Sequence, residues 1–559
     1  MKLARITFLG LVAFTAAPAA ATAGAAQPAH HRELCVGRGS GCYKTVQAAV
    51  DAARSGDTVR VGRGTFGGGI RIRASIHVVG AGARLTTIRG GGPVLTIGSL
   101  GAATEPSVSI TGVKVTGGVT HSSAQSKALT GKTGVLALGG GIEVPPGRRF
   151  TDGATVTIRD SVITGNTVFP SATADSGLPC GSACPFALAG GGGIDNWGSM
   201  TLTDVLVSDN IAGGPVTSDA DAGGIYTPQG HLTLRHSIVT GNRAVASRPY
   251  GRFAEGGGVN VASTPFFLRP RRRVSTLTID ASRITANRAT LADAFTSDIE
   301  AHATAGGILI AGDDDCTKPI SGCVRGAIRK SLVSGNTATA SNTAGDATAF
   351  SGGITVDGVL VLSRSTIRDN HVRVNVPAGS AAGAFGDSGG IGMGGYATIT
   401  HSRLIGNSVS VTAPSGTASA MFAGLSVGNG AFPTTVKHSD ISRNQLAAST
   451  TSGPVTLQGA GIGHLGGAPL VLRDTTLARN LATGNGPDGV DQGGGIWNGS
   501  LDPSSPVGLL RLIDSTIAWN VLKASAGITA QGGGIFTIAK PSIRHTTIAH
   551  NQPNQCHGC

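Results

Sequence analysis

The most constraining feature of this sequence is an asparagine that recurs eleven times, each time three residues after an Ile, Val or Leu. The residue five positions before it is Ser or Thr, except at Val205. A signature that returns once per few tens of residues is typical of a solenoid built from one repeated unit. The recurring asparagines are Asn166, Asn210, Asn242, Asn287, Asn336, Asn370, Asn407, Asn444, Asn480, Asn520 and Asn551.

A second motif alternates strictly with the first: a pair of small residues followed by an aliphatic residue, as in Gly-Gly-Ile ending at Ile142, Ile194 and Ile225. Between the motifs lie short stretches of alternating apolar residues, such as Leu232-Thr-Leu234, which are typical of strands. Such units must stack to bury their apolar faces. We therefore expect an all-β fold, a single-stranded right-handed parallel β-helix with a short N-terminal capping helix.

The two motifs predict the two corners of each coil. Asparagine tolerates a left-handed backbone, and its amide can bond both the turn and the asparagine of the next coil. Glycine pairs suit the opposite corner because a positive φ costs them nothing. From the aliphatic residue to the asparagine takes 16 residues in tight repeats such as Ile354 to Asn370, but 28 from Val259 to Asn287. The longer repeats should carry loops, where a localised function is expected.

The N-terminus has the layout of a secretory signal peptide over residues 1–26, with Lys2 and Arg5 before an apolar run and small residues after it. We assign residues 27–57 to an N-terminal cap with a disulfide and a helix, and residues 58–559 to the β-helix. No later stretch is apolar enough to span a membrane. The mature chain should be secreted or bound at the cell surface, and a monomer.

The eight cysteines form four close pairs in the sequence, which favours local disulfides in an oxidising compartment. Two pairs should clamp loops and two should clamp the ends of the solenoid. A metal site at Cys556-His-Gly-Cys559 is the weaker alternative, because a lone Cys-x-x-Cys lacks the second ligand pair of a zinc site. The pairs are Cys35 with Cys42, Cys180 with Cys184, Cys316 with Cys323, and Cys556 with Cys559.

Residues 45–66 resemble the start of pectin-lyase-like superfamily proteins: Thr45-Val-Gln-Ala-Ala-Val-Asp-Ala-Ala, then Gly56-Asp-Thr-Val, then Gly64-Thr-Phe66. Val46, Ala49 and Val50 follow helical spacing, and Gly56 supplies a stop. The repeats over residues 130–551 are similar to those of the polymorphic outer-membrane protein family, with aliphatic residues in place of its Phe. The first resemblance implies the β-helix, and the second implies an exported protein with adhesin-like binding duties.

The best catalytic candidates are Glu143 and Asp195, each directly after the aliphatic residue of a Gly-Gly-Ile motif. In register on consecutive coils about 4.8 Å apart, their carboxyls would repel and one pKa would rise, which suits an acid catalyst. Arg148 and Arg149 could add a cation nearby. The alternative is that both are solvated strand residues, since Tyr226 and Asn260 take the equivalent positions in the next coils.

Two loops are candidate ligand sites. Asp313, Asp314 and Asp315 precede Cys316 and could hold Ca²⁺, although three consecutive side chains reach one ion only through an unusual turn; the alternative is an acidic loop tip. Guanidinium groups beside aromatic rings suit carboxylated or sulfated sugars. Such a basic loop is formed by Arg269, Arg271, Arg272 and Arg273, next to Phe266 and Phe267.

A net charge of +13 suggests acidic partners such as anionic polysaccharides, although arginine is also a common solvated residue on repeat surfaces. The sequence favours a secreted, non-catalytic protein that presents loops to a cell surface, matrix or glycan. The alternatives are a polysaccharide lyase or glycoside hydrolase, and a structural spacer. We expect a polysaccharide or cell-surface ligand, no nucleic acid, and no required cofactor, with Ca²⁺ as the metal to test.

Overall fold

The structure is a computed structural model that describes residues 31–122, 134–148, 152–170, 186–214, 217–247, 253–263, 274–292, 302–312, 322–343, 345–428, 433–502 and 504–559. Its strands stack in parallel register into five long sheets, and one short helix lies near the N-terminus. The predicted right-handed parallel β-helix is confirmed. The signal-peptide prediction falls on residues outside the described ones.

We number the sheets 1 to 5 in the order in which one coil passes through them. Sheet 1 contains Glu33–Val36, Thr58–Val61, His77–Gly80, Ser107–Thr111, Thr155–Arg159, Ser199–Thr203, His231–Arg235, Ser275–Asp280, Val324–Arg329, Val359–Ser363, Tyr396–Thr400, Thr434–Lys437, Leu470–Arg473, Leu510–Ile513 and Ser542–Arg544. Sheet 2 contains Gly64–Gly67, Thr86–Arg89, Lys114–Thr116, Val162–Thr164, Leu206–Ser208, Ile238–Thr240, Arg283–Thr285, Leu332–Ser334, Thr366–Arg368, Arg403–Ile405, Asp440–Ser442, Thr476–Ala478, Thr516–Ala518 and Thr547–Ala549.

Sheet 3 contains Val119–Thr120, Thr167–Val168, Ile211–Gly213, Arg243–Ser247, Arg288–Ala292, Thr337–Ser341, His371–Asn375, Ser408–Thr412, Gln445–Ser449, Leu481–Asn485 and Val521–Ala524. Sheet 4 contains Gly134–Leu138, Phe186–Gly190, Asp219–Asp221, Phe253–Glu255, His302–Thr304, Ala347–Phe350, Ala384–Asp387, Ala418–Met421, Pro454–Gln458, Asp488–Gln492 and Ile528–Gln531. Sheet 5 contains Ile70–Ile72, Leu95–Ile97, Ile142–Val144, Ile194–Asn196, Ile225–Pro228, Val259–Ala262, Ile308–Ala311, Ile354–Asp357, Ile391–Met393, Leu425–Val427, Ile462–Leu465, Ile496–Gly499, Ile535–Thr537 and Cys556–His557.

The interior of the solenoid is divided into two cores. Sheets 1, 2 and 5 enclose the larger one, which is rich in Ile, Leu and Val and begins at the N-terminus. Sheets 3 and 4 enclose a second core of smaller residues, such as Ala244, Ala254 and Ala303. Because the inner residues of sheets 3 and 4 are small, these two sheets can lie close together. A coil therefore has two lobes joined by a narrow waist.

The recurring asparagines form one side of this waist, between sheets 2 and 3. All of them are buried, and each side-chain amide nitrogen donates to the Oδ1 of the next, from Asn166 to Asn551, at 2.8–3.0 Å. The predicted asparagine ladder is confirmed. The left-handed residue of this corner is the one before each asparagine, for example Asp209 or Ala286, both near φ 55°.

The glycine pairs form the other side of the waist, between sheets 4 and 5. The predicted reason for them is wrong, because the positive φ belongs to the residue before each pair, such as Ala222 or Phe422. The glycine pairs are needed because a side chain at these positions would collide with the asparagine ladder. A Cβ added at Gly193 would lie 2.9 Å from the amide nitrogen of Asn210, and one at Gly258 would lie 2.8 Å from that of Asn287.

The N-terminal end is closed by the helix Val46–Ala52. Thr45 caps it by accepting a hydrogen bond from the Ala48 amide at 3.2 Å, and Val46, Ala49 and Val50 are buried against the larger core. This confirms the predicted capping helix. The disulfides Cys35–Cys42 and Cys556–Cys559 are present at the two ends. Cys323 is also disulfide-bonded, whereas its predicted partner Cys316 and the pair Cys180 and Cys184 lie outside the described residues.

Candidate functional site

A concave groove runs along the solenoid at the corner between sheets 4 and 5. The glycine pair turns the chain sharply there, so the outward side chains that end sheet 4 face those that begin sheet 5. On sheet 5, register places Glu143, Asp195 and Tyr226 on consecutive coils. On sheet 4, Asp221 and Glu255 are register partners on consecutive coils. We call this feature, with its carboxyl groups from Glu143 to Asp387, the acid groove.

Glu143 and Asp195 are register partners on neighbouring coils, as the sequence predicts. They are not solvated, however, since their exposed fractions are 5% and 0%. Asp195 accepts a hydrogen bond from Trp197 Nε1 at 3.1 Å, and the Thr96 hydroxyl lies 3.4 Å from Glu143 Oε2. Burial, together with the Glu143 carboxylate, raises the pKa of Asp195 well above its usual value. Arg148 is exposed, and Arg149 lies outside the described residues.

Tyr226 connects the two walls of the groove. Its ring lies over Gly190 of sheet 4, where an added Cβ would be 2.8 Å from the ring and 2.7 Å from Leu138. Its hydroxyl donates a hydrogen bond to Asp221. Burial, and then the charges of Asp221, Asp195 and Glu255, raise the pKa of Tyr226 well above its usual value. Tyr226 therefore keeps its proton and acts as a hydrogen-bond donor.

Asp221 and Glu255 share a hydrogen bond next to Tyr226. Burial, followed by the charges of Glu255 and Asp219, raises the pKa of Asp221 well above its usual value. The pKa of Glu255 rises to about 7 through burial, Asp219 and Asp357. Asp221 is 6% exposed, whereas the Glu255 side chain is 26% exposed. Glu255 is thus the point at which the buried acidic network reaches the open groove.

Beyond Glu255 the groove opens into a cavity of about 350 Å³. Glu255 and His302 line it from sheet 4, and Thr355 and Asp357 line it from sheet 5. His302 Nε2 lies 3.9 Å from Glu255 Oε1. Asp387 also lines the cavity, and burial raises its pKa to about 7 although the Ser388 hydroxyl donates to it at 2.6 Å. Carboxyls from both walls therefore face one space.

Aromatic rings follow one another along sheet 4, and two of them, His302 and Phe350, line this cavity. The ring centroids are 4.6 Å apart for Phe253 and His302, 5.5 Å for His302 and Phe350, and 5.8 Å for Phe350 and Phe385. All four rings are partly exposed. Partly exposed aromatic rings beside polar groups are a common lining of ligand pockets.

Several predicted site residues cannot be placed. Arg269, Arg271, Arg272 and Arg273, and the acidic run Asp313, Asp314 and Asp315, lie outside the described residues, so both ligand sites stay predictions. Within the described residues, no group of three or more His, Cys, Asp or Glu side chains is arranged to hold a metal ion. The same part of the chain contains no helix long and apolar enough to cross a membrane.

The sequence analysis missed Tyr226, Asp221, Glu255, Asp357 and Asp387 as site residues. A signal for some of them was present: an acidic residue stands four positions before the aliphatic residue of the glycine motif at Asp221, Glu255 and Asp387. The residue four positions before the aliphatic residue of the glycine motif faces, across the groove, the residue directly after that aliphatic residue. Asp221 and Tyr226, on either side of Ile225, are an example. Considered together, these two positions would have indicated a carboxyl cluster.

No protein-family model matches the sequence, and no curated protein matches it. Among solved structures, the chain is similar to the A-module of mannuronan C-5 epimerase AlgE6 from Azotobacter vinelandii, with 13% identity and a TM-score of 0.37, over 91% of this chain and 95% of that one. It is also similar to the Agl-KA catalytic domain, with 13% identity and a TM-score of 0.28, over 93% and 69%. A pectin methylesterase complexed with a hexasaccharide matches at 11% identity and a TM-score of 0.20, over 54% and 78%.

Proposed function

We propose that this chain is a secreted β-helical glycoside hydrolase that cleaves a polysaccharide in the acid groove. The observation that carries the proposal is the pairing of Glu255 and Asp357 on opposite walls of one cavity. Two carboxyl groups on either side of a sugar chain are the usual machinery of glycoside hydrolysis. Burying several acidic groups together lowers the stability of the fold, so a purely structural role does not explain why they are there.

The two carboxyls have different roles in this proposal. Glu255 is the general acid, because a pKa of about 7 keeps it protonated in mildly acidic solution. It donates its proton to the glycosidic oxygen as the bond to the leaving sugar breaks. Asp357, on the sheet 5 wall, either attacks the anomeric carbon as the nucleophile, giving a glycosyl-enzyme that water then hydrolyses, or takes a proton from the water that attacks this carbon.

The acidic side chains of the groove favour a neutral polysaccharide over an anionic one as the substrate. Glu255 and Asp387 ionise as the pH rises through about 7, and with Asp357 they would then repel a uronic-acid polymer. A neutral polysaccharide avoids this repulsion and still finds the partly exposed rings of Phe350 and His302 beside the carboxyls. A lyase reaction is less well supported, because it needs a cation beside the sugar carboxylate, and the described lining of this cavity includes His302 but no Lys or Arg. The proposal therefore replaces the anionic glycans suggested by the net charge of the chain.

The test is incubation of the mature chain with neutral glucans, xylans, mannans and galactans, and with uronate polymers, while new reducing ends are counted. We expect release from a neutral polymer, at least about 100-fold slower in Glu255→Gln and in Asp357→Asn. Asp369→Asn is the matched control, because that carboxyl is 54% exposed at the corner between sheets 2 and 3. Equal loss in the control, or equal release by Glu255→Gln, would refute the assignment.

Glycan binding without cleavage, as in an adhesin, is the second candidate. The aromatic row from Phe253 to Phe385 favours it, because sugar contact with rings needs no catalytic group. The end disulfides Cys35–Cys42 and Cys556–Cys559 suit either role outside the cytoplasm. Binding of a neutral glycan that is weakened by Phe350→Ala, with no reducing ends released by the wild type, would favour this candidate.

A further inference from the structure

Five ionisable groups follow one another along the acid groove. Glu143, Asp195 and Tyr226 follow one another on neighbouring coils of sheet 5. The Tyr226 hydroxyl crosses to Asp221 on sheet 4, and Asp221 is the register partner of Glu255. Each group in the line is next to the following one, and neighbouring coils are about 4.8 Å apart. The order along the line is therefore fixed by the register of the β-helix.

The middle of this line is enclosed, whereas each of its two ends lines a cavity. Asp195 and Tyr226 are 0% and 2% exposed, and Asp221 is 6% exposed. Glu143 lines a cavity of about 300 Å³ together with Arg71 and Arg73. Glu255 lines the cavity that holds His302 and Asp357. Two separate cavities are thus joined by a row of enclosed acidic groups.

The line lacks the features of a structural ion-pair network. In the part of the chain that the structure describes, neither Asp195 nor Asp221 forms an ion pair with a basic side chain. Trp197 is the hydrogen-bond donor to Asp195, and Tyr226 is the donor to Asp221. Adjacent buried carboxyls that lack a cation cannot all be ionised, so they must retain protons. Groups that hold protons and lie next to one another in register can also pass them on.

We infer that Asp195, Tyr226 and Asp221 form a proton relay that reprotonates Glu255 from Glu143 after each turnover. This inference rests on the proposed role of Glu255 as the general acid. When Glu255 has given its proton to the leaving sugar, the Asp221 carboxyl donates its proton to the Glu255 carboxylate. Tyr226 donates its hydroxyl proton to Asp221 and receives the proton of Asp195, so the tyrosine never carries a net charge.

Glu143 then donates its proton to Asp195 and is reprotonated by water in its own cavity. At every step one O–H bond breaks and one forms, and the net result is one proton moved to Glu255. The charged groups around the ends are Arg71 and Arg73 beside Glu143, and Asp219, Asp357 and His302 beside Glu255. The cations at the first end stabilise the Glu143 carboxylate left behind, and the acids at the second end favour the arrival of a proton.

Tyr226→Phe is the decisive variant, because the ring keeps its place over Gly190 and only the hydroxyl is lost. We expect kcat to fall about tenfold with KM unchanged, and the loss to grow as the pH rises. A small acid such as imidazolium should restore the rate by delivering protons through the open cavity. Tyr43→Phe, at the N-terminal end, is the control. Unchanged kcat in Tyr226→Phe, or a fall that imidazolium cannot reverse, would overturn the relay.

A readout that needs no substrate separates the relay from the proposed function. The carboxyl of Glu255 can be titrated by infrared difference spectroscopy in the wild type, in Tyr226→Phe and in Asp195→Asn. Loss of a linked partner should move its midpoint by about one pH unit. An unmoved midpoint in both variants refutes the relay even if hydrolysis is observed. A moved midpoint in a chain that cleaves no glycan keeps the proton linkage and refutes the hydrolase.

Discussion

Asp491 offers a test of how this fold treats a buried charge outside the acid groove. Its register partners are Leu457 and Ala530, so its side chain points into the core between sheets 3 and 4. It is 0% exposed, and neither carboxyl oxygen has a hydrogen-bond partner in the described structure. The carboxyl occupies space left by Gly484, where an added Cβ would lie 2.5 Å from Oδ2. Burial raises its pKa to about 7.

The sign of the effect on stability follows from the raised pKa. The folded state prefers the protonated carboxyl. Below pH 3.8 the carboxyl is protonated in the folded and the unfolded chain alike, so its burial does not make the stability depend on pH there. As the pH rises towards 7, the unfolded chain releases this proton and the folded chain retains it, which lowers the free energy of unfolding. A shift of about three pH units corresponds to at most about 4 kcal/mol, fully lost above pH 7.

Asp491→Asn removes the ionisation and keeps the shape of the side chain. We expect its free energy of unfolding in urea, followed by far-UV circular dichroism, to exceed that of the wild type at pH 8. At pH 4 this advantage should shrink by about 3–4 kcal/mol. Asp488→Asn, exposed on the same strand, is the control and should give the same difference at both pH values. If the difference in stability between Asp491→Asn and the wild type is the same at pH 4 and pH 8, burial does not raise the pKa of Asp491 as argued.

Three further predictions concern the solenoid. Asn407→Ala should cost about 2–4 kcal/mol, seen as a lower melting temperature, because it deprives Asn370 of a buried acceptor; an unchanged melting curve would contradict the ladder. Gly258→Ala should lower the melting temperature more than Gly67→Ala, whose Cβ would meet no atom within 4 Å. Asp57→Asn should increase hydrogen exchange near the capping helix at pH 7. Hydrogen bonds from Arg54 and Arg32 hold the pKa of Asp57 well below its usual range, so its contribution is present at pH 7 and lost only in strong acid.

The sequence was sufficient to predict the repeated coil and its asparagine ladder. It was insufficient to predict which outward-facing side chains are buried in the acid groove. Asn166 and its successors identify the ladder, and the spacing of Ile142 and Ile194 is enough to place Glu143 beside Asp195. Burial of that pair was not predicted, because outward residues of a strand were assumed to face water. That assumption fails where two sheets meet at a concave angle, and a period of two carries no information about such an angle.

The concave angle itself has a local cause that links the solenoid to the site. Gly193 and Gly258 lie against the side-chain amides of Asn210 and Asn287, so the waist has no room for a side chain at either glycine. A narrow waist draws the ends of sheets 4 and 5 inward, and the residues on either side of the glycine pair must then face each other. Asp221 and Tyr226 are only five residues apart and meet for this reason. The residues that appear purely architectural therefore determine where acidic side chains are desolvated. A substitution that widened the waist, such as Gly258→Ala, should thus lower the pKa of Glu255 as well as the stability of the fold.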